Sequence, residues 1–298
     1  MASFSSRLPL PTGKILACVD ASRYAESVCD YAFWCADRMK APLSLLHVLD
    51  SFPRGTPPPR QNLAGAIGFG ARERLLEELA TLDEQRARLA MEQGRHLLAA
   101  AGDRAEAAGW GPVETRQRHG SLADALMALE SDTRMIVMGK RGSESASAIG
   151  HLGANLERVI RTVGKPVLVT PRSFAPPERI MFAYDGSPTA HKGVEMVAAS
   201  PLFQGIPCHL VYAGADRPEV RRALETASGF LHESGFEAPY AVLPGGPPED
   251  VIPRYQAREK IDLLIMGAFG HSQIRHLILG STTTALLRTC TTALIVLR

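Results

Sequence analysis

The sequence predicts an α/β protein made of two similar halves, each a doubly wound parallel sheet with helices on both faces. Short, continuous apolar runs alternate with segments of helical periodicity, the pattern of strands buried on both sides. That pattern opens twice, since Ile15-Leu-Ala-Cys-Val-Asp20-Ala-Ser22 is matched by Ile180-Met-Phe-Ala-Tyr-Asp185-Gly-Ser187. It also closes twice, each time with a glycine motif, a helical segment and a last apolar run. The copies lie 165 residues apart at their starts and 128 at their glycine motifs, so the first half carries 37 more residues in between. A period this long marks a duplicated domain rather than a solenoid. The 298 residues suit two domains of ordinary size, placed at residues 1–173 and 174–298.

The elements of the first half follow in order. Ile15–Val19 and Leu43–Val48 read as strands around a helix near Tyr24–Met39. A loop and a long helix come next, then a weaker strand near Val113–Arg118. Leu122, Ala125, Leu126 and Leu129 share one face of a helix. Met135–Met138, a glycine loop, the helical Leu156–Arg161 and Val167–Thr170 complete the half. In the second half the strands are Ile180–Tyr184, Cys208–Ala213, Tyr240–Leu243, Leu263–Met266 and Leu294–Leu297. Ser187 followed by Pro188 is an N-cap and first-turn pair. Val220, Ala223, Leu224, Ala227, Phe230 and Leu231 recur at helical spacing.

The extra residues of the first half centre on an insertion at about 51–72. Thr56-Pro-Pro-Pro-Arg60 is stiff and extended, and Gly65-Ala-Ile-Gly-Phe-Gly70 is apolar. Leu75, Leu79, Leu82 and Leu89 follow at near-helical spacing. Two readings stand: a solvent loop leading into an ordinary amphipathic helix, or a lid or apolar-ligand wall over the first domain.

Composition narrows the classes of function. Apolar residues make up 45% of the chain, enough for a sizeable core in each half, and the net charge is +2. Neither that charge nor any long block of like charge calls for a nucleic-acid or membrane surface. Met1–Thr12 has no apolar core of a signal peptide, and no run reaches membrane-spanning length. Cys18, Cys29, Cys35, Cys208 and Cys290 form no C-x-x-C and mostly lie in apolar runs, as reduced thiols of a cytoplasmic protein do.

Chemistry concentrates at the second glycine motif. Leu263–Met266 runs into Gly267-Ala-Phe-Gly270, nine residues later comes Gly280-Ser281-Thr282, and a helix begins. A strand, a glycine loop and a helix start together suit phosphate. Glycine lets the backbone approach, free amides of the helix N-terminus face the anion, and Ser281 and Thr282 add hydroxyl donors. The first-half copy is imperfect: Gly139-Lys-Arg-Gly142, then ten residues, then Gly153-Ala154-Asn155. There the hydroxyls are missing and the gap is one residue longer, while Lys140 and Arg141 could attract an anion instead. The longer gap predicts that the Gly153 turn stands away from Gly142. Arg134 also replaces the acidic residue that stands at Asp262 in the second copy. Asp20, Asp185 and both glycine loops follow strands, so each set falls at a strand C-terminal edge, where such sheets bind ligands.

With these motifs in hand, the chain resembles the universal stress protein family in its tandem form, over nearly all of Gly13 to Arg298. The carriers are the two Asp-x-Ser openings, Leu45-Leu-His-Val-Leu-Asp50, and the family's nucleotide signature G-x2-G-x9-G-(S/T), met by Gly267, Gly270, Gly280 and Ser281 without a gap. The resemblance implies five-stranded sheets in the order 3-2-1-4-5, paired through their last strands as an internal pseudo-dimer, with room for a homodimer. It implies ATP, with or without Mg²⁺, in the second half. Ala183, Tyr184 and Asp185 would face the adenine and ribose, with Asp185 as a carboxylate near any Mg²⁺. Ala213 would line the adenine pocket, and Met266 and Gly267 would border the ribose. Gly270, Gly280, Ser281 and Thr282 would hold the phosphates. The weaker first-half counterparts are Asp20, Val48, Gly139, Gly142, Gly153, Ala154 and Asn155. A lipid-like ligand in the first half is the alternative that some tandem relatives suggest.

No catalytic motif accompanies this site. The chain has no G-x-x-x-x-G-K-[ST], G-x-S-x-G or H-E-x-x-H, and its nine histidines make no metal spacing. The second-half loop offers only Arg275, His271 and His276 as cations, too little for efficient phosphoryl transfer. The expected function is an ATP-binding stress or signalling protein. The alternatives are a hydrophobic-ligand-binding or scaffolding protein with an occasional nucleotide site, and a weak ATPase.

Overall fold

A computed structural model describes residue 4 and residues 12–49, 69–142, 153–268 and 279–298. The first half contains β1 (Lys14–Cys18), α1 (Ala25–Met39), β2 (Leu43–Leu49), α2 (Phe69–Ala107), β3 (Glu114–His119), α3 (Leu122–Leu129), β4 (Thr133–Gly139), α4 (Ala154–Thr162) and β5 (Val167–Thr170). The second contains β6 (Ile180–Ala183), α5 (Pro188–Ala199), β7 (Cys208–Ala213), α6 (Pro218–Glu233), β8 (Tyr240–Leu243), α7 (Pro248–Glu259), β9 (Leu263–Gly267), α8 (Ser281–Thr289) and β10 (Ala293–Leu297). Each expected strand forms, with ends shifted by at most a residue or two.

The strands make one ten-stranded sheet in the order β3-β2-β1-β4-β5-β10-β9-β6-β7-β8. Each half has the order 3-2-1-4-5 and is parallel throughout. The halves meet where β5 and β10 pair antiparallel, with Leu168 opposite Ile295 and Val169 opposite Leu294. This pairing covers two apolar edges that would otherwise recruit other strands. Beside the seam, the Ser27 hydroxyl donates to the Pro171 carbonyl at 2.7 Å, and Arg38 Nε donates to the Leu202 carbonyl at 2.6 Å.

Alternation along the strands feeds two cores that run through both halves. Ile15, Ala17, Met135 and Val137 pack under α1 and α2, and Phe182 and Leu210 continue that layer under α5 and α6. Leu16, Ile136 and Met138 point to the opposite face, under α3 and α4, as Met181, Leu264 and Met266 do under α7 and α8. Period-two alternation of apolar residues on both faces is what a sheet covered on both sides demands. Gly193 permits a close approach: a Cβ there would lie 2.5 Å from the Phe182 ring and 2.9 Å from Leu297. Ser187 caps α5, its hydroxyl accepting from the Ala190 amide at 3.1 Å.

Helix α2 departs from the ordinary amphipathic helix expected of the leucine spacing. Leu79, Leu82 and Leu89 are 44%, 48% and 58% exposed. Burial begins only at Gly94 and Leu98, where the helix reaches β2 and β3. At Gly94 an added Cβ would clash with Gln117 and His47. The reason is length: 39 residues at 1.5 Å each outrun the sheet edge the helix packs on. The insertion as far as residue 68 lies outside the described residues.

Candidate functional site

Two switch points arise from this topology. In the second half, β6 lies between β7 and β9, and all three run parallel. Their C-terminal ends therefore share one edge. The chain leaves β6 toward α5 on one face and leaves β9 toward α8 on the other, opening a crevice between them. β1, between β2 and β4, repeats the arrangement in the first half.

At the second switch point the described part of the glycine motif is tied together by short bonds. Gly280 is the N-cap of α8, and its amide donates to the Ala268 carbonyl at 3.3 Å. The Thr283 hydroxyl donates to the Gly267 carbonyl at 3.1 Å, and Thr284 closes the first helical turn onto Gly280 at 2.9 Å. Ser281 and Thr282 occupy the first two helical positions, whose amides have no partner within a helix. Ser281 is exposed and Thr282 half-buried, so both residues are open to solvent. Thr283, absent from the predicted set, is buried and holds the helix start against the strand end. Its signal was present as the third hydroxyl after Gly280, but only packing separates it from its two neighbours. Gly270, with His271, Arg275 and His276, lies outside the described residues.

The adenine-side residues divide between backbone and side chain. Ala183 and Ala213 are half-buried at neighbouring strand ends, and their small side chains leave the edge open. Asp185 is half-buried and accepts the Ser187 amide at 2.9 Å, fixing the turn into α5. Tyr184 and Met266 turn their side chains inward. The Tyr184 ring is 2% exposed, packs under α5 and bonds through its hydroxyl to His191 at 3.1 Å. Burial, with the Asp185 charge second, pushes its phenol up to about 12. Met266 is 4% exposed in the core beneath α8. Strand alternation turns both inward, so only their backbone can border the edge.

In the first half two of the glycines stand where a side chain would crowd a neighbour. A Cβ at Gly139 would lie 2.7 Å from Tyr24 Cβ, and one at Gly142 would lie 3.1 Å from Asp20 Oδ2. The longer gap does not displace the Gly153 turn: a Cβ at Gly153 would be 3.8 Å from the Gly142 amide, while α4 packs Leu156, Val159 and Ile160 into the core. Ala154 opens α4, Asn155 is exposed, and Val48 is half-buried at the end of β2. Asp20 accepts the Ser22 amide at 3.0 Å, as Asp185 does for Ser187.

Lys140 is not an anion-seeking cation of the first half. Its ammonium crosses the seam and donates to the Cys290 carbonyl at 2.6 Å and the Arg288 carbonyl at 2.9 Å, at the C-terminal end of α8. Burial lowers its pKa. Asp262 likewise has a structural role: its carboxylate accepts the Glu178 and Arg179 amides at 2.9 and 3.1 Å. The five cysteines are free thiols, four of them buried, and burial raises Cys29 to about 11 and Cys208 to about 12. Among the described residues no helix is long and apolar enough to cross a membrane.

Comparison with known proteins agrees with this geometry. The model of the family described as Universal stress protein family matches residues 11–171 and again 177–298. Universal stress protein Slr1230 of Synechocystis is 40% identical over 276 residues, 92% of this chain and 96% of that protein. Among solved structures, a universal stress protein from Archaeoglobus fulgidus superposes with a TM-score of 0.68 at 19% identity, covering 96% of this chain and 98% of that one. A putative universal stress protein from Pseudomonas aeruginosa gives 0.60 at 16% identity, covering 96% and 93%. These two show the fold.

Proposed function

The chain belongs to the universal stress protein family, and from that premise we propose that its second half binds ATP and that the bound nucleotide sets the protein's conformation or partners in a stress or signalling response. One observation carries the reading. The N-terminus of α8, with Gly280 as N-cap and Ser281 and Thr282 open to solvent, stands at the end of β9 beside the open strand ends of Ala183 and Ala213. A helix N-terminus supplies amides and the positive end of its dipole to a phosphate, and the two hydroxyls add donors. Small residues at the adjacent strand ends leave space for a base. The residues therefore suit a nucleotide. Mg²⁺ would enter with the phosphates, as it usually does, and Asp185 is the one carboxylate in the assigned set.

Gly280→Val tests the reading. A branched side chain at the N-cap sits where phosphate needs backbone, and ATP affinity should fall at least about tenfold in calorimetry, equivalent to ~1.4 kcal/mol. Unchanged affinity in a folded variant removes the assigned cradle. Denaturing the purified protein and separating the released small molecules identifies the nucleotide carried.

The exposed Leu79, Leu82 and Leu89 of α2 favour a second reading, a scaffolding role through that helix. Replacing the three with lysine should abolish partner capture while leaving ATP binding intact.

A further inference from the structure

We propose that the first half carries a polyphosphate site of its own, built from arginines rather than from the glycine-hydroxyl cradle it lacks. Arg23, Arg141 and Arg172 line one cavity of about 450 Å³, together with residues 21, 22 and 24 and Gly142. The three arginines come from the β1–α1 loop, the β4–α4 loop and the chain leaving β5, and only the fold assembles them. At the positions matching Arg23 and Arg141 the second half has Pro188 and Phe269, so this charge is not a feature of the repeat.

Three properties point to an anion. First, none of the three guanidinium groups has a carboxylate partner among the described residues, whereas Arg104, Arg116 and Arg221 are each paired. Second, Arg141 Nε is buried and has no hydrogen-bond acceptor there. A buried donor left unpaired is costly, and an anionic oxygen in the cavity would relieve it. Third, the cavity opens at the start of α1, a 15-residue helix whose first amides and dipole add positive potential. No carboxylate lines the cavity among the described residues; Asp20 stands beside Gly142 and accepts the Ser22 amide. Lys140 takes no part, because its ammonium is bound to α8.

The number of donors selects the class of anion. A guanidinium fork pairs with both oxygens of a carboxylate and neutralises its single charge, so one arginine is enough for that ligand. Three forks around one cavity suit a ligand with many anionic oxygens, a pyrophosphate unit. Arg141 is half-buried while Arg23 and Arg172 are exposed, so the outer two can close over a ligand held by the inner one. A pyrophosphate unit can arrive free or as the tail of a nucleotide, and the experiment separates the two.

The test is calorimetry of the full chain with sodium pyrophosphate and, separately, with ATP. It uses the parent, Gly280→Val, Arg141→Gln and Arg172→Gln, each checked for folding by circular dichroism. The proposal does not rest on the second-half site, and Gly280→Val keeps the two apart. Pyrophosphate should bind the parent and Gly280→Val alike, and Arg141→Gln should weaken it at least about tenfold, the loss of a charge-assisted bidentate contact. Arg172→Gln, at an exposed position that folding tolerates, should weaken it about threefold or more and decides the matter if Arg141→Gln does not fold. If ATP also binds Gly280→Val and loses that binding with Arg141→Gln added, the unit comes on a nucleotide; if only pyrophosphate does, it comes free. Pyrophosphate binding that vanishes in Gly280→Val but survives in both arginine variants overturns the proposal, as does an absence of binding to the parent.

Discussion

Replacing Lys140 with methionine should destabilise the protein through a helix in the other half. The ammonium donates to the Arg288 and Cys290 carbonyls at 2.9 and 2.6 Å, where α8 ends and its last carbonyls lack helical partners. A hydrogen bond from a charged donor contributes about 1.5–3 kcal/mol, and a cation at a helix C-terminus about 0.3–1 kcal/mol. Desolvation acts against both, as the lowered pKa of the lysine records, and the Arg288 contact is exposed to solvent. The balance falls near the low end, a loss of about 2 kcal/mol, which for domains of this size lowers the thermal midpoint by about 4–8 °C. Circular dichroism melting measures it, and amide exchange along 281–289 should quicken, since that helix loses its anchor. A midpoint within about 1 °C of the parent, with exchange in α8 unchanged, would refute the claim that this contact across the seam stabilises anything.

The remaining predictions address pH, assembly and stoichiometry. Burial lowers the pKa of His209, whose Nδ1 lies 2.9 Å from the Tyr255 hydroxyl. The folded state therefore favours the neutral ring. That contribution is complete above the unfolded value of 6.5 and is lost as pH falls through the folded value. Unfolding midpoints should drop below pH 6.5, and His209→Gln should flatten that slope; an identical slope in the variant rejects the assignment. Residues 1–173 and 174–298 expressed separately should each dimerise or aggregate, because β5 and β10 become open edges. Two soluble monomers in sedimentation would contradict this. ATP titration of the intact chain should show one strong site, with the first half at least about tenfold weaker, ~1.4 kcal/mol. Loss of two hydroxyl donors at Ala154 and Asn155 suffices for that, and two equal sites would dismiss it.

Much of the architecture was legible in the sequence because it depends on local pattern. The strand runs, the Ser187-Pro188 helix start and the five-strand order carried by the resemblance all reappear in the structure. Apolar periodicity reports how a segment will be buried, and burial on two faces leaves few topologies. The glycine spacing of the second half likewise announced a strand end beside a helix N-terminus, and Gly280 is that N-cap.

What only tertiary structure decided is which way each side chain turns and what it meets from distant chain. Tyr184 and Met266 sit at the correct strand ends, but the pleat turns both into the core. Thr283, one step past the expected hydroxyl pair, is the residue that ties α8 to β9. Leu79, Leu82 and Leu89 have the spacing of a buried stripe and lie exposed, because periodicity does not reveal where the sheet ends. Lys140 reads as a phosphate ligand by position yet caps a helix of the other half, since antiparallel pairing of β5 with β10 brings the two glycine-motif regions together. Arg23, Arg141 and Arg172 are far apart in the chain, and only Arg141 lies within a motif, the first-half glycine loop. Their shared cavity exists because the β1 and β4 loops and the end of β5 converge at one sheet edge, a fact of topology that no local pattern encodes.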